Sequence, residues 1–308
     1  LKIVSECIKS VQNPVFDTAG KYGAGLALET LGQCLNRLHI SPDEVLISNK
    51  LGWLRKELAG PEPDFEKGVW FGLKNDAVQQ IGYDGVMACF EQGNELLGGN
   101  YKPQLLSVHD PDEYIDRGRN PEEKEKLFTD ILEAYRALSD LKKQGKTKAV
   151  GIGSKDWTIV KKVSEHVELD WVMFANSLTI MNHPPQLVAF IEKLAGKGVA
   201  IINSAVFHGG FLTGSCYYDY RLITPESDGP KFRWREKFFS ICRKHNVIPS
   251  VACVNFGLTP PGVAAISLNT SNPDRVKDNV ESVLAKVPER FYGEMVKEGL
   301  ISKDYPWL

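Results

Sequence analysis

The chain has 308 residues, 43% of them apolar and 25% charged, with a formal net charge of −2. That is enough for one large domain or two average ones with a well-buried core, and the composition excludes a disordered, collagenous or coiled-coil protein. The near-neutral balance offers no footprint for nucleic acid or an anionic membrane, and no apolar run reaches spanning length. Six cysteines without a CxxC pair argue against a disulfide framework; reduced thiols and a cytoplasmic setting are expected, with no metal site.

The first residues, LKIVSECIKS, alternate charge and apolarity, unlike a signal peptide, and form a helix pattern over 1–12. Nearly continuous apolar runs follow at 14–19, 44–50, 103–110, 147–154, 170–177, 198–206 and 262–269. Each reads as a strand covered on both faces. Between them lie amphipathic helix patterns at 26–38, 121–144, 187–197 and 232–245; the second opens with NPEE and closes with KKQGK, good start and stop signals. Two stretches break the rhythm. Residues 51–101 form a long excursion of loop and then helix (around 84–98), and 213–231 is rich in Tyr, Gly and Pro. Long excursions in compact domains tend to be functional.

Repeated β→α alternation without a composition break predicts parallel strands and crossover helices in a single domain spanning 1–308. Of the two candidate architectures, length and regularity favour the (β/α)8 TIM barrel over an open doubly wound sheet. A barrel needs eight strands and the sequence offers seven, so the first strand is expected upstream of residue 1. The glycines of GAGLAL (23–28) and GIGSKD (151–156) imitate a dinucleotide fingerprint but lack its third Gly, and are expected to serve tight turns.

In a parallel barrel the active site lies at the C-terminal ends of the strands. Three successive strands end in ionisable groups: Asp17 with Tyr22 in the following loop, Lys50, and His109. A lysine closing an apolar strand needs a nearby anion to offset desolvation. A free phenol titrates near pH about 10, and a neighbouring ammonium lowers that value, giving a usable general acid or base. A histidine on the next strand can orient the reacting oxygen. Lys50 alone would read as solvated, or as a Schiff-base lysine. With Asp17 and Tyr22 beside it, the set describes a carbonyl/alcohol redox site. Asp110 and Asp112 read as loop caps.

FDTAGKYGAG (16–25), the Lys of SNKLG (48–52) and the His of SVHDPDEY (107–114) resemble the aldo-keto reductases, and the likeness runs on through GIGS (151–154), NSAVFHGGFLTG (203–214) and NTSNPDRVKDNVE (269–281). The subgroup most resembled is the sugar 1-dehydrogenases of the D-threo-aldose, L-fucose and L-galactose dehydrogenase type. The resemblance implies a catalytic set of Asp17, Tyr22, Lys50 and His109. It also implies an extended nicotinamide dinucleotide, NAD or NADP. Ser154 and Asn176 would hold its carboxamide, and Ser204, Phe207, Gly210 and Leu212 would line the nicotinamide and pyrophosphate. Asn269, Thr270, Arg275 and Asn279 would meet the adenosine end. Three departures stand out. Ser204 replaces an aromatic that often stacks on the nicotinamide. Lys155 stands where Asn is frequent. Asn269 stands where NADP-preferring members often carry Lys, and a neutral side chain loses a charge-assisted contact to a 2′-phosphate, which tilts the reading toward NAD.

Trp53 and Trp70, in rim loops of the excursion, are candidate stacking surfaces for a sugar; loop packing is the plainer reading. The expected reaction is oxidation of an aldose at C1 to the lactone, with Tyr22 as general base. The alternatives are a general aldehyde/ketone reductase, or a redox-sensing accessory protein that binds the cofactor without useful turnover. The partner is then a small sugar or carbonyl, neither nucleic acid nor membrane.

Overall fold

The computed structural model describes residues 1–219 and 221–308. These fall into two compact units, one made of Leu1–Ser154 with Thr158–Val172, the other of Lys155–Trp157 with Met173–Leu308.

The first unit opens with helix α1 (Lys2–Ser10) and continues through β1 (Val15–Ala19), α2 (Leu26–Arg37) and β2 (Leu46–Leu51). An antiparallel hairpin follows, β3 (Trp53–Glu57) with β4 (Asn75–Gln79), and then α3 (Tyr83–Leu96), β5 (Leu105–His109), the short α4 (Pro111–Ile115), α5 (Pro121–Lys143) and β6 (Ala149–Ser154). β1 pairs with β2, β2 with β5 and β5 with β6, all parallel. The excursion at 51–101 is therefore more ordered than the loop-then-helix expected. Its hairpin is held by the buried Asp76 carboxylate, which accepts from the backbone N–H groups of Asp64 (3.2 Å), Phe65 (3.4 Å) and Ala77 (2.7 Å).

Helix α5 shows how the sequence specifies its helices. The Asn120 side chain accepts from the Glu123 N–H at 2.8 Å, Pro121 occupies the first turn, and Lys142 and Lys143 lie in the last. Phe128, Ile131, Ala134, Tyr135, Leu138 and Leu141 form its buried stripe. Burying each large apolar side chain contributes roughly 1.5–3 kcal/mol. A second cluster packs Leu28, Leu31 and Leu35 of α2 against Val45, Ile47, Leu97 and Tyr101.

Gly151, in the middle of β6, serves packing and not a turn: a Cβ there would run into the Trp171 ring and backbone. Gly23 and Gly25 do adopt turn conformations, with φ of 60° and 82°.

Helix α6 (Trp157–Ser164) and β7 (Trp171–Ala175) each have residues in both units. The second unit continues with α7 (Pro185–Gly196), β8 (Ala200–Ser204), a 3-10 turn (Phe211–Thr213), the two-residue strands β9 (Tyr217–Tyr218) and β10 (Arg221–Leu222), α8 (Pro225–His245), α9 (Pro249–Leu258), β11 (Val263–Ser267), α10 (Arg275–Leu284) and α11 (Glu289–Lys297). β8 and β11 pair in parallel. Its core gathers Phe211, Leu212, Phe238, Ile241, Phe256, Phe291 and Met295. Helix α8 starts at 225, earlier than the 232 expected. A Thr224–Ser227 capping box opens it, and the break at Asp228 (φ −132°, ψ 37°) accommodates Pro230.

Candidate active site

Strand register builds the site. Asp17 lies opposite Ser48, Ala19 opposite Lys50, and Lys50 opposite Ser107. Side chains alternate along a strand, so Asp17, Ser48, Lys50, Ser107 and His109 project from one face. Tyr22 reaches the same place from the turn after β1, where its N–H donates to the Ala19 carbonyl (3.2 Å). The Lys50 ammonium donates to Asp17 Oδ2 at 2.5 Å and to the Tyr22 hydroxyl at 3.1 Å. Ser48 Oγ donates to the other Asp17 oxygen at 2.9 Å. The rings of Tyr22 and His109 meet edge to face with centroids 5.2 Å apart. The four residues expected to act together are thus brought together, all within the first unit.

Burial works against the Lys50 ammonium, but Asp17 and Tyr22 more than offset it, and its pKa lies above the ordinary lysine value. It stays charged throughout the neutral range. For Tyr22 the outcome differs from the lowered pKa expected. Desolvation pushes the phenol up, Lys50 pulls it down, Asp17 and Asp110 add to the upward push, and the net direction is upward. One ammonium shared with a carboxylate does not outweigh the loss of water around the phenol. Lys50 moderates the shift without reversing it.

Sequence reasoning missed Lys21, which is 3% exposed. Its ammonium meets Glu113 at 2.7 Å, Glu66 at 2.9 Å and Asp110 at 3.4 Å. Desolvation opposes its charge, but these carboxylates outweigh it and its pKa is raised. Asp110 Oδ2 is also 3.6 Å from His109 Nε2, so the lysine is linked to the histidine through one carboxylate. The readable signal was a lysine among small turn residues, immediately before Tyr22. Asp110 does begin α4, in a left-handed conformation (φ 44°), without a side-chain cap bond.

The two tryptophans differ. Trp53 is not in a loop: it opens β3, is 7% exposed, and packs with Ala24, Phe65 and Ala77. Its ring is covered by the Lys21 ammonium at 5.4 Å and the Arg117 guanidinium at 5.9 Å. It therefore offers no open stacking face. Trp70 is half-buried, donates from Nε1 to Glu66 Oε2 at 2.7 Å, and stacks on Phe65 with centroids 6.4 Å apart.

The residues expected to hold a cofactor are distributed as follows. Ser154 ends β6 in the first unit. The others belong to the second unit: Ser204 ends β8, and the rest follow β7, β8 and β11. Asn176 is left-handed (φ 61°), its N–H donates to the Ser204 carbonyl at 3.3 Å, and its buried amide Oδ1 accepts no hydrogen bond among the described residues. A carboxamide N–H is the donor that atom lacks, so the residue fits a nicotinamide. Ser204 Oγ is committed to the Phe174 carbonyl (3.0 Å). Phe207 lies against the core, and Leu212 is a fully buried core residue, so Leu212 has only backbone to offer a ligand. Gly210 (φ 92°) caps the 3-10 turn. Thr270 Oγ1 accepts from the Asn272 N–H at 3.0 Å, shaping the loop ahead of α10. Asn269 is exposed beside it, Arg275 is the exposed first residue of α10, and Asn279 lies one turn on.

Strand–helix alternation, with Asp17, Lys50 and His109 on successive strands and Tyr22 in the turn after the first, is the pattern of a barrel oxidoreductase. The model of the aldo/keto reductase family matches residues 2–297, and the chain belongs to that family, whose members use a nicotinamide cofactor on small molecules. It is 27% identical over 297 residues to pyridoxal 4-dehydrogenase of Microbacterium luteolum, and 26% identical over 298 residues to D-threo-aldose 1-dehydrogenase of a Pseudomonas species. Each alignment covers 93% of this chain and 84% of the relative. Among solved structures it is similar to the holo form of aldo-keto reductase AKR11C1 from Bacillus halodurans (TM-score 0.69, 17% identity, 99% of this chain and 89% of that one). The glycerol dehydrogenase AKR11B4 from Gluconobacter oxydans is equally similar (TM-score 0.69, 18% identity, 100% and 88%). These structures establish the fold, which is the (β/α)8 barrel that the alternation of elements predicted.

Proposed function

We propose that the protein oxidises a cyclic aldose at C1 to the lactone, with a preference for NAD. The observation that carries the reading is the Lys50 ammonium held between Asp17 (2.5 Å) and the Tyr22 hydroxyl (3.1 Å). A bound nicotinamide supplies the acceptor for the hydride from C1. The chain's own residues manage the proton. Tyr22, as phenolate, takes it from the C1 hydroxyl. Lys50 stabilises that phenolate and is kept charged by Asp17, while His109 directs a hydrogen bond to the same substrate oxygen. Asn176 would hold the carboxamide through its unused Oδ1. Trp70, with a half-exposed indole, is the better candidate of the two tryptophans for contact with the sugar ring.

The oxidative direction is supported by two relatives whose names are those of dehydrogenases, one of them acting on position 1 of an aldose. The NAD preference rests on the neutral Asn269.

The test is oxidation of a panel of aldoses with NAD+ and NADP+, alongside reduction of an aromatic aldehyde. Tyr22→Phe should lower turnover by about 10²–10⁴-fold, the range for a lost general acid–base group, while cofactor affinity measured by fluorescence titration holds. Full activity in Tyr22→Phe sinks the proton-transfer assignment. Aldehyde reduction without sugar oxidation replaces the aldose reading with a general carbonyl reductase.

A further inference from the structure

Lys21 has no part in the proton transfer just described, yet its ammonium pairs with three carboxylates: Glu66 lies in the excursion between β3 and β4, Glu113 in α4, and Asp110 directly after His109. The Lys21 side chain is only 4% exposed, so its ion pairs are weakly screened and tie the three segments that supply the carboxylates to one buried point. Glu66 is the informative partner. It is a non-glycine residue with φ of 47°, a conformation held only where its surroundings demand it. One of its oxygens takes the Lys21 ammonium at 2.9 Å and the other takes the Trp70 indole N–H at 2.7 Å. That indole stacks on Phe65, and Phe65 packs on Trp53 with centroids 5.8 Å apart. A single carboxylate therefore relays the position of a buried cation, one residue from Tyr22, to a half-exposed aromatic face.

We propose that Lys21 is a specificity-determining residue: through Glu66 it positions Trp70 as a fixed stacking wall that selects cyclic, ring-shaped substrates. Lys21 acts through Glu66 and does not itself touch substrate, so it is a positioning residue. An alkyl stem or an ordinary solvated lysine in the turn would leave the excursion tethered at its base by Asp76 but with its indole unfixed.

The proposal rests on the aldose reading for its choice of substrate, and the experiment separates the two. Lys21→Met and Glu66→Gln are compared with the unaltered protein for oxidation of L-fucose and reduction of propanal, a substrate too small to use the wall. In both variants KM for L-fucose should rise about tenfold relative to the change for propanal, the loss expected for one charge-assisted contact, with kcat little altered. Lys21→Arg should recover most of the loss. Independently of turnover, acrylamide quenching of tryptophan emission and amide hydrogen exchange across residues 62–73 should both increase in Lys21→Met and in Glu66→Gln. Glu66→Gln guards against misfolding of Lys21→Met, since it frees the excursion and leaves Glu113 and Asp110 on the lysine. Parallel KM changes for the two substrates overturn the proposal, as does unchanged exchange in both variants. If the unaltered protein oxidises no sugar, the aldose reading falls, and exchange and quenching alone then decide whether Lys21 fixes Trp70.

Discussion

Lys50 sits between two oxygens that both claim its protons, and the balance between them sets the pH behaviour of the site. The phenol of Tyr22 lies above its ordinary value near pH about 10 because desolvation outweighs the attraction of Lys50. Oxidation requires the phenolate, so its kcat/KM should keep rising with pH through the neutral and mildly alkaline range and level off only above the ordinary phenol value. Reduction requires the protonated phenol and should stay level over the same range. Lys50→Met removes the one large downward influence on Tyr22, so the alkaline limb of oxidation should move to still higher pH; pH–rate profiles of the two proteins measure this. A limb that stays in place would show that Tyr22 is not the titrating group. Asp17, Tyr22, Lys50 and His109 were legible in the sequence because each lies in, or in the turn just after, a strand recognisable by its apolar run. Lys21 was not, because its partner Glu113 is 92 residues away and nothing local marks the lysine as buried. Trp53 was misplaced because a rim loop and the first residue of a short polar strand look alike in sequence.

Elements with strong local signals were readable, and those fixed by distant partners were not. The seven barrel strands and helix α5 appear where their periodicity and caps put them, within a few residues. The β3–β4 hairpin, WLRKE with NDAVQ, has little alternation, and its strands are separated by the whole of 58–74. Beyond the backbone ladder, what ties them is the buried Asp76, which meets Lys56 of β3 at 3.1 Å and the N–H groups of the connecting loop, a set of partners that a local pattern cannot announce. Helix α9 buries Ala252, Cys253, Val254, Phe256 and Gly257 and lacks a polar face, so helical periodicity is invisible in it. Two stability predictions belong here. Gly151→Ala should cost about 1–3 kcal/mol, since its methyl meets the Trp171 ring and backbone and the strand must shift to admit it. Asn120→Ala should cost about 1 kcal/mol through loss of the α5 cap. Urea denaturation of each variant measures both, and an unaltered midpoint in Gly151→Ala would show that the ring can move aside.

Taken as a whole, the chain spreads its six cysteines so that their reactivity is set by burial. Cys34, Cys89, Cys242 and Cys253 are buried, Cys7 is half-buried and Cys216 is exposed. Burial pushes the thiols of Cys89 and Cys242 up to about 12, which suppresses the thiolate that reacts. Titration of the native protein with a disulfide reagent should therefore show one fast thiol, lost in Cys216→Ser, with the buried four reacting only on unfolding. Two or more fast thiols would mean that a buried segment opens readily. The fold class was legible at this scale because alternation repeats along the entire chain.

The hairpin described above gives the excursion an unusual freedom. Its base is fastened by five residue pairs and by Asp76, while Gly68 and Gly72 near its tip have positive φ and open space where a side chain would go. Residues added or removed between those glycines need not reach the strands that carry the proton chemistry. Substrate range can thus drift by lengthening or recolouring a peninsula, with the bedrock beneath it left alone.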